Sequence, residues 1–403
     1  MDIYNPVGEK RSCNTKISSL LQQAYNHYPS ISSSEKLILA AQAEIEGAKW
    51  NYFPTPSIDF SQGSAGRTGQ TYRIDQPLWT GGKLDALNDL AYARGNEAQY
   101  ALQESAYTLS KQVLRVVNVM IRADGEIKAF ERGKKDLQSL SKMLERRVEA
   151  GVSSETDSDL VESRIFQIDS DILTSKQRFK MAERQLQLLT GRSVSCLKLK
   201  NDSNLKTQKS LDSMFTNMIQ THPSLKKKTA QIAKAKAQRK AADAEIMPNL
   251  SLRAEHQRGS LYQDYQDTSN TIVYVAVSFN PGAGLSSLSN MESAKYKMMK
   301  AQDDYRTTEQ ELNDELIRYY TDYKTAQRNL DTIKQTIVSS RKVLDSYERL
   351  FLAGKRQWLD LVNMSREVTM NYVSLASLRA MMIVSSYNLQ LQTGHIYLNK
   401  KMR

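Results

Sequence analysis

The chain has 403 residues, and its 56 Lys and Arg against 44 Asp and Glu give a formal net charge of +12. A mean hydropathy of −0.55 and the lack of any apolar run of about 18 residues argue against a transmembrane helix. They say nothing against a transmembrane β-barrel, whose strands are short and alternate in polarity. A pI near 9.4 fits an acidic partner such as lipopolysaccharide or nucleic acid, or simply a solvated charged surface.

Met1-Asp-Ile-Tyr-Asn-Pro6 has neither the basic start nor the apolar core of a signal peptide. The protein is therefore either cytoplasmic or numbered after processing. Cys13 and Cys196 are too few for a disulfide scaffold and lack metal-type spacing; one bridge between them is open.

Self-similarity organises everything after that. Tyr28-Pro29-Ser30-Ile31 recurs as His222-Pro223-Ser224-Leu225, and Pro54 recurs as Pro248, both 194 residues on. Further along the offset is 203: Gly151 matches Gly354, Asp157 matches Asp360, and Leu186-Gln-Leu-Leu-Thr-Gly191 matches Leu389-Gln-Leu-Gln-Thr-Gly394. The chain is a tandem duplication, with repeats at 17–191 and 211–394. Residues 1–16, 192–210 and 395–403 are terminal and connecting segments.

Each repeat reads the same way. A helix of about 35 residues leads to a Pro, at Ser32–Asn51 and beyond in the first copy and at Leu225–Met247 in the second. Two alternating segments follow, at about 56–78 and about 249–280, and their period of two marks pairs of strands. A Gly-containing turn, at Thr80-Gly-Gly82 and at Pro281-Gly-Ala-Gly284, then leads into a long helix pair. Between Leu285 and Thr393 the only helix breaker is Gly354, so two long helices should fold back there, and likewise at Gly151. A helix of about 66 residues spans roughly 100 Å, which predicts an elongated protein.

Both long helices carry a seam of spacing four and three. It runs from Leu109 and Val113 to Leu144 and Val148, and again from Leu312 and Leu316 to Tyr347 and Phe351. That period predicts left-handed coiled-coil packing. Its Tyr, Ser, Ala and Lys positions suit a helical wall that meets water on one side.

Four strands per chain cannot close a barrel, which needs about eight, so subunits must share one. Here the sequence resembles the TolC family of outer-membrane channels over nearly its whole length. The resemblance is carried by Gln76-Pro-Leu-Trp79-Thr-Gly-Gly-Lys83, the two Gly-x5-Asp tips and the paired Leu-Gln-Leu-x-Thr-Gly endings. It implies a mainly α fold with a small β part: a trimeric coiled-coil tunnel capped by a shared 12-stranded barrel.

The family's tips close the tunnel like an iris until an inner-membrane pump, of ABC or other type, and a periplasmic adaptor open it. On that resemblance Arg356 pairs with Thr156 and Asp157 of the other tip, and Asp360 lines the constriction. Two departures stand out. Phe351 replaces a tip Tyr, and Asn363 replaces a second ring Asp, which loosens the gate or changes how it is held. Gly151 and Gly354 mark the turns that meet the adaptor. Ordinary solvated helix-end charge is the alternative for Arg356, Asp157 and Asp360.

Trp50, Phe53 and Trp79 flank the strands, where an aromatic girdle against outer-membrane lipid belongs. Nothing is catalytic in type, and no cofactor or metal is implied. His27, His222, His256 and His395 are scattered, and Thr80-Gly-Gly-Lys83 lacks the spacing of a phosphate loop. The lysines between Lys226 and Lys240 spread round their helix without aromatics, so no nucleic acid is expected. The expected function is an exit duct. Its cargo is a secreted protein on the likeness of Gly354–Asp360 to type I secretion members, with small-molecule drug efflux as the alternative. A soluble coiled-coil scaffold is the rival from another class.

Overall fold

The computed structural model describes residues 16–63, 67–194, 210–259, 269–280 and 282–396. Cys13 and Cys196 lie outside them. The first repeat contributes α1 (Ile17–His27), α2 (Pro29–Trp50), β1 (Thr55–Gln62), β2 (Thr68–Trp79), α3 (Lys83–Glu149) and α4 (Glu155–Thr190). The second contributes α5 (Leu211–Thr221), α6 (Pro223–Ala244), β3 (Asn249–Arg258), β4 (Ser269–Ser278), α7 (Ser286–Leu352) and α8 (Trp358–Gln392). Helices α3 and α7 have 67 residues each, and α2 and α6 have 22 each, so the duplication holds element by element.

The single helix expected before each strand pair is two helices in both repeats. Tyr28 (ψ 130°) and His222 (ψ 126°) are extended, because the ring of a following Pro crowds an α-helical backbone. His222 then caps α6: its Nδ1 accepts the Ser224 N–H at 3.2 Å.

The chain divides into two compact units, one of residues 32–105 and 221–311, the other of the rest. The first unit holds an antiparallel sheet in the order β1-β2-β3-β4. Its register separates the side chains into two faces. Ile58, Phe60, Ile74, Leu252, Val275 and Val277 share one face and are exposed. Asp59, Arg73, Asp75, Arg253 and Glu255 share the other. There Arg73 Nε donates to Glu255 at 2.6 Å and Arg253 donates to Asp75 at 2.6 Å, a cross-strand checkerboard of opposite charges. A bulge at Leu78 turns Trp79 onto the apolar face opposite Leu250.

The helices of this unit follow the same order as their strands. The upper part of α3 packs against α2 through Ser34–Ser105 (3.1 Å) and Arg94–Glu44 (3.6 Å). Against α6 it makes the ion pairs Asp89–Lys240 (2.9 Å), Glu97–Lys234 (2.7 Å) and Glu104–Lys227 (2.6 Å). Burial opposes the charge on Glu97, but hydrogen bonds from Lys234 and Gln231 outweigh it and hold the carboxyl below its ordinary value.

In the second unit the seam residues Leu312, Leu316, Leu330, Ile337 and Leu344 are buried, and Tyr319, Tyr323 and Tyr347 are half-buried. Helix α3 also buries Leu114, Val117 and Leu140, because it touches α4, α7 and α8 at once. A Cβ on Gly125 would collide with Ala376, and one on Gly133 with Thr369, so α3 and α8 meet almost backbone to backbone. Glu315 of α7 ties three helices by accepting from Lys111, from Tyr319 Oη (2.9 Å) and from Gln392 Nε2 (3.2 Å).

Helix α8 is, by length and composition, apolar enough to cross a membrane, contrary to the reading of the sequence alone. Its apolar residues have another use in this fold: Leu361, Val362, Val368 and Leu375 are buried in the helical core.

A candidate gate at the paired helical tips

The two helix pairs fold back through the same backbone device. After α3, the Val152 N–H reaches back to the Arg147 carbonyl at 2.8 Å, with Gly151 left-handed at φ 70°. After α7, Lys355 N–H reaches Leu350 O at 2.8 Å, with Gly354 at φ 71°. Each satisfies the last carbonyls of a long helix and reverses the chain. Ser154 then caps α4, its hydroxyl accepting from Thr156 N–H at 3.2 Å, whereas Gln357 before α8 offers no side-chain cap.

One apolar core lies behind both tips. Leu137, Leu140 and Leu144 of α3 and Val161 of α4 meet Phe351, Trp358, Leu361 and Val362 of α7 and α8. The rings of Phe351 and Trp358 lie 5.3 Å apart at 56°. Arg147 from the first tip places its guanidinium 4.6 Å from the Phe351 centroid. Phe351, where the family resemblance expects Tyr, thus points into the core.

Arg356 donates to Asp360 at 3.2 Å, one helical turn on, and sits 4.4 Å from the Tyr347 ring centroid. Among the described residues no ion pair joins Arg356 to Asp157, and no hydrogen bond joins it to Thr156. The structure thus brings Arg356 together with Asp360, and Phe351 with Trp358. Thr156 and Asn363 are exposed, and Asp157 is half-buried with no ion pair among the described residues. Both members of the Arg356–Asp360 pair are about two-fifths exposed, so water screens it and its worth is about 0–1 kcal/mol.

The sequence profile of the outer membrane efflux protein family matches residues 20–192 and 215–395, one match for each repeat. The chain belongs to that family. No curated protein matches it. Among solved structures, CusC superposes with a TM-score of 0.81 at 16% identity, covering 98% of each chain. The outer membrane protein VceC of Vibrio cholerae gives 0.78 at 14% identity, over 94% of this chain and 95% of that one. The open state of the MtrE outer membrane channel of Neisseria gonorrhoeae gives 0.70 at 14% identity, over 94% and 89%. At such identities the likeness is one of fold.

Two features of this efflux family protein's tips escaped the sequence reading. Trp358 is buried at the first position of α8, with its indole N–H unpartnered among the described residues. Its signal was a lone Trp where the first repeat has Glu155. Glu348, one turn from the tip, has its carboxyl raised above its ordinary value, first by burial and then by the Asp345 and Asp136 carboxylates. Asp136 itself is held by Arg341 in a two-pronged pair across α3 and α7.

In the unit that holds the sheet, Trp50, Phe53 and Trp79 are all exposed at the junctions of helices and strands, with the Trp50 and Phe53 rings 5.2 Å apart. Phe279, directly after β4 in the second repeat, is exposed as well and was missed because no Trp marks it. Among the described residues no cluster of His, Cys, Asp or Glu is arranged to hold a metal ion.

Proposed function

We propose that three copies of this outer membrane efflux protein form an exit duct through which an inner-membrane pump, joined by a periplasmic adaptor, expels its cargo. The sheet carries the proposal. Four strands with open edges, one face apolar and the other lined by paired charges, suit a wall segment between lipid and water. Three such segments make a 12-stranded barrel, above the minimum for closure and without free edges. Trp50, Phe53, Trp79 and Phe279 then sit at the lipid interface.

In this reading the tips are the gate. Arg356 is held by Asp360 and Tyr347 when its own copy is alone, and in the assembled duct it turns to Thr156 and Asp157 of another tip. Asp360 and the exposed Asn363 face the constriction, and the turns at Gly151 and Gly354 meet the adaptor. Type I secretion of a polypeptide rests on the tip stretch Gly354–Asp360 alone. Small-molecule efflux rests on what the family is named for, and it is the second reading. A strain lacking its own duct decides the cargo: restored drug resistance marks efflux, and restored export of a secreted protein marks secretion.

Sedimentation in detergent tests the assembly. The expected species is a trimer that precipitates when detergent is removed. A stable monomer in plain buffer would discard the duct and favour a soluble scaffold.

A further inference from the structure

Behind the tips, the helical unit holds a cleft of about 410 Å³ between α3, α4 and α8, a size that suits a small organic ligand. Phe130, Leu137, Ile168, Val362 and Met370 supply its apolar walls. Leu137 and Val362 also belong to the core shared by the two tips, so whatever fills the cleft bears on both.

Three polar groups of the lining lack the partners that their neighbours have. Ser365 is 1% exposed, and its hydroxyl meets no hydrogen-bonding group among the described residues. Other buried hydroxyls of this unit donate to the carbonyl four residues back. Ser110 donates to Ala106 at 2.8 Å, Thr190 to Leu186 at 2.8 Å, and Thr369 to the carbonyl of Ser365 itself at 2.9 Å. Ser365 does not, and a buried hydroxyl left unpaired is costly unless a ligand meets it.

The other two groups are arginines. Nearby charges of α4 are paired with α3: Asp169 with Lys134 at 2.6 Å, Lys176 with Glu131 at 3.6 Å, and Arg178 with Glu126 at 3.1 Å. Arg164 of α4 and Arg366 of α8 line the cleft with no ion pair among the described residues. They stand at nearly the same height. Arg164 comes nine residues after Glu155, where α4 begins, and Arg366 eight after Trp358, where α8 begins. Val161 and Leu361, just below them, share one core. Asp171 lines the opposite end, seven residues or roughly 10 Å further along α4.

The geometry points to a binding site for an apolar monoanion, a carboxylate or sulfonate on a compact hydrophobic body. Its head lies between Arg164 and Arg366, whose planar donor forks suit such a group. Ser365, one residue before Arg366, donates its hydroxyl to the same head. The body runs along Ile168, Met370 and Phe130, and Asp171 repels an anion placed the other way round. An occupant joins α4 to α8 and so braces the tips against parting. The site stands on its own chemistry; only its effect on opening rests on the duct proposed above.

The probe is 2-naphthoate, beside uncharged 2-naphthalenemethanol and cationic 2-naphthylmethylammonium. In detergent-solubilised protein carrying Cys13→Ser, Cys196→Ser and Ser365→Cys, the thiol is labelled with methyl methanethiosulfonate and timed by mass spectrometry. Saturating naphthoate should slow labelling roughly tenfold or more, and its two counterparts by less than about twofold. Thr156→Cys, exposed at the first tip, should keep its rate, and an equal slowing there would place the effect outside the cleft and overturn the site. Arg164→Gln with Arg366→Gln should raise the half-protecting naphthoate concentration roughly a hundredfold, about tenfold for each charge-assisted hydrogen bond. Asp171→Asn should lower it. Calorimetric titration of the unsubstituted protein and of the arginine variant gives the same comparison without a cysteine. Equal protection by all three probes, or equal binding with and without the arginines, would overturn the anion site. Neither protection nor heat from naphthoate would overturn the cleft as a site of any kind. Binding that leaves amide exchange unchanged at residues 155–171 and 358–370 would overturn the brace. None of these results alters trimer formation or conductance, so the duct fails or survives separately.

Discussion

Removing the Trp358 side chain should loosen both tips, although Trp358 belongs to only one. It is 4% exposed and packs on Phe351 within a core that includes Leu144 and Val161 from the other helix pair. Truncating a buried Trp to Ala costs about 3–5 kcal/mol. Its indole N–H has no partner among the described residues, and losing that buried donor returns about 1–3 kcal/mol. The remainder, centred on roughly 2 kcal/mol, lowers the local opening energy and should speed amide exchange by roughly 30-fold. Trp358→Phe keeps the ring contact, removes the orphan donor and should change exchange little. The assay is hydrogen exchange by mass spectrometry on peptides covering residues 140–165 and 347–365. Acceleration confined to the second peptide would refute the shared core, and so would no change in either.

Three further outcomes follow from the geometry. Gly133→Ala should destabilise the helical unit by about 1–3 kcal/mol through the forced contact with Thr369, seen as an earlier thermal midpoint in detergent; an unchanged midpoint would mean α3 and α8 are not held that close. Gly354→Ala meets no atom and should cost only the left-handed backbone, about 1–2 kcal/mol, as faster local exchange with the overall midpoint preserved. Acid should weaken the ion-paired helices. The Glu97 and Glu315 carboxyls are buried against their charge, yet Lys234 with Gln231, and Lys111 with Tyr319, hold both below the ordinary value of 4.5. Their contribution is complete above that pH and is lost as pH falls through the lowered values. Glu315→Gln should therefore flatten the fall of denaturant midpoint below pH 4.5, and an equally steep fall in the variant would count against Glu315 as its source.

Much of this was legible because the duplication writes each element twice. The seam residues, the paired tips at Gly151 and Gly354, and four strands in two hairpins all follow from offsets of 194 and 203 residues and from simple periods. The breaks at Tyr28 and His222, which divide the expected helix of about 35 residues, come from the Pro after each, which disfavours a helical backbone there. What the sequence could not show was which neighbours a long helix has. Period alone places Leu312 or Leu316 on a seam, but the second buried row of α3 depends on three partners arriving from distant parts of the chain. The same holds at the tip. Arg356 has a carboxylate within one turn, Asp360, and another in the opposite tip, Asp157; local reach decides between them in the single chain. Phe351 read as a missing hydroxyl because its burial depends on Trp358 and Arg147, one from each tip.

The most direct test of the duct is conductance in a planar bilayer, comparing the purified protein with Arg356→Ser. Small, steady steps are expected from the wild type and larger steps from the variant, whose tips have lost the guanidinium that binds Asp360 and Tyr347. Steps of equal size would remove Arg356 from the gate. No steps from either protein, in membranes that a known porin does permeabilise, would contradict the channel itself.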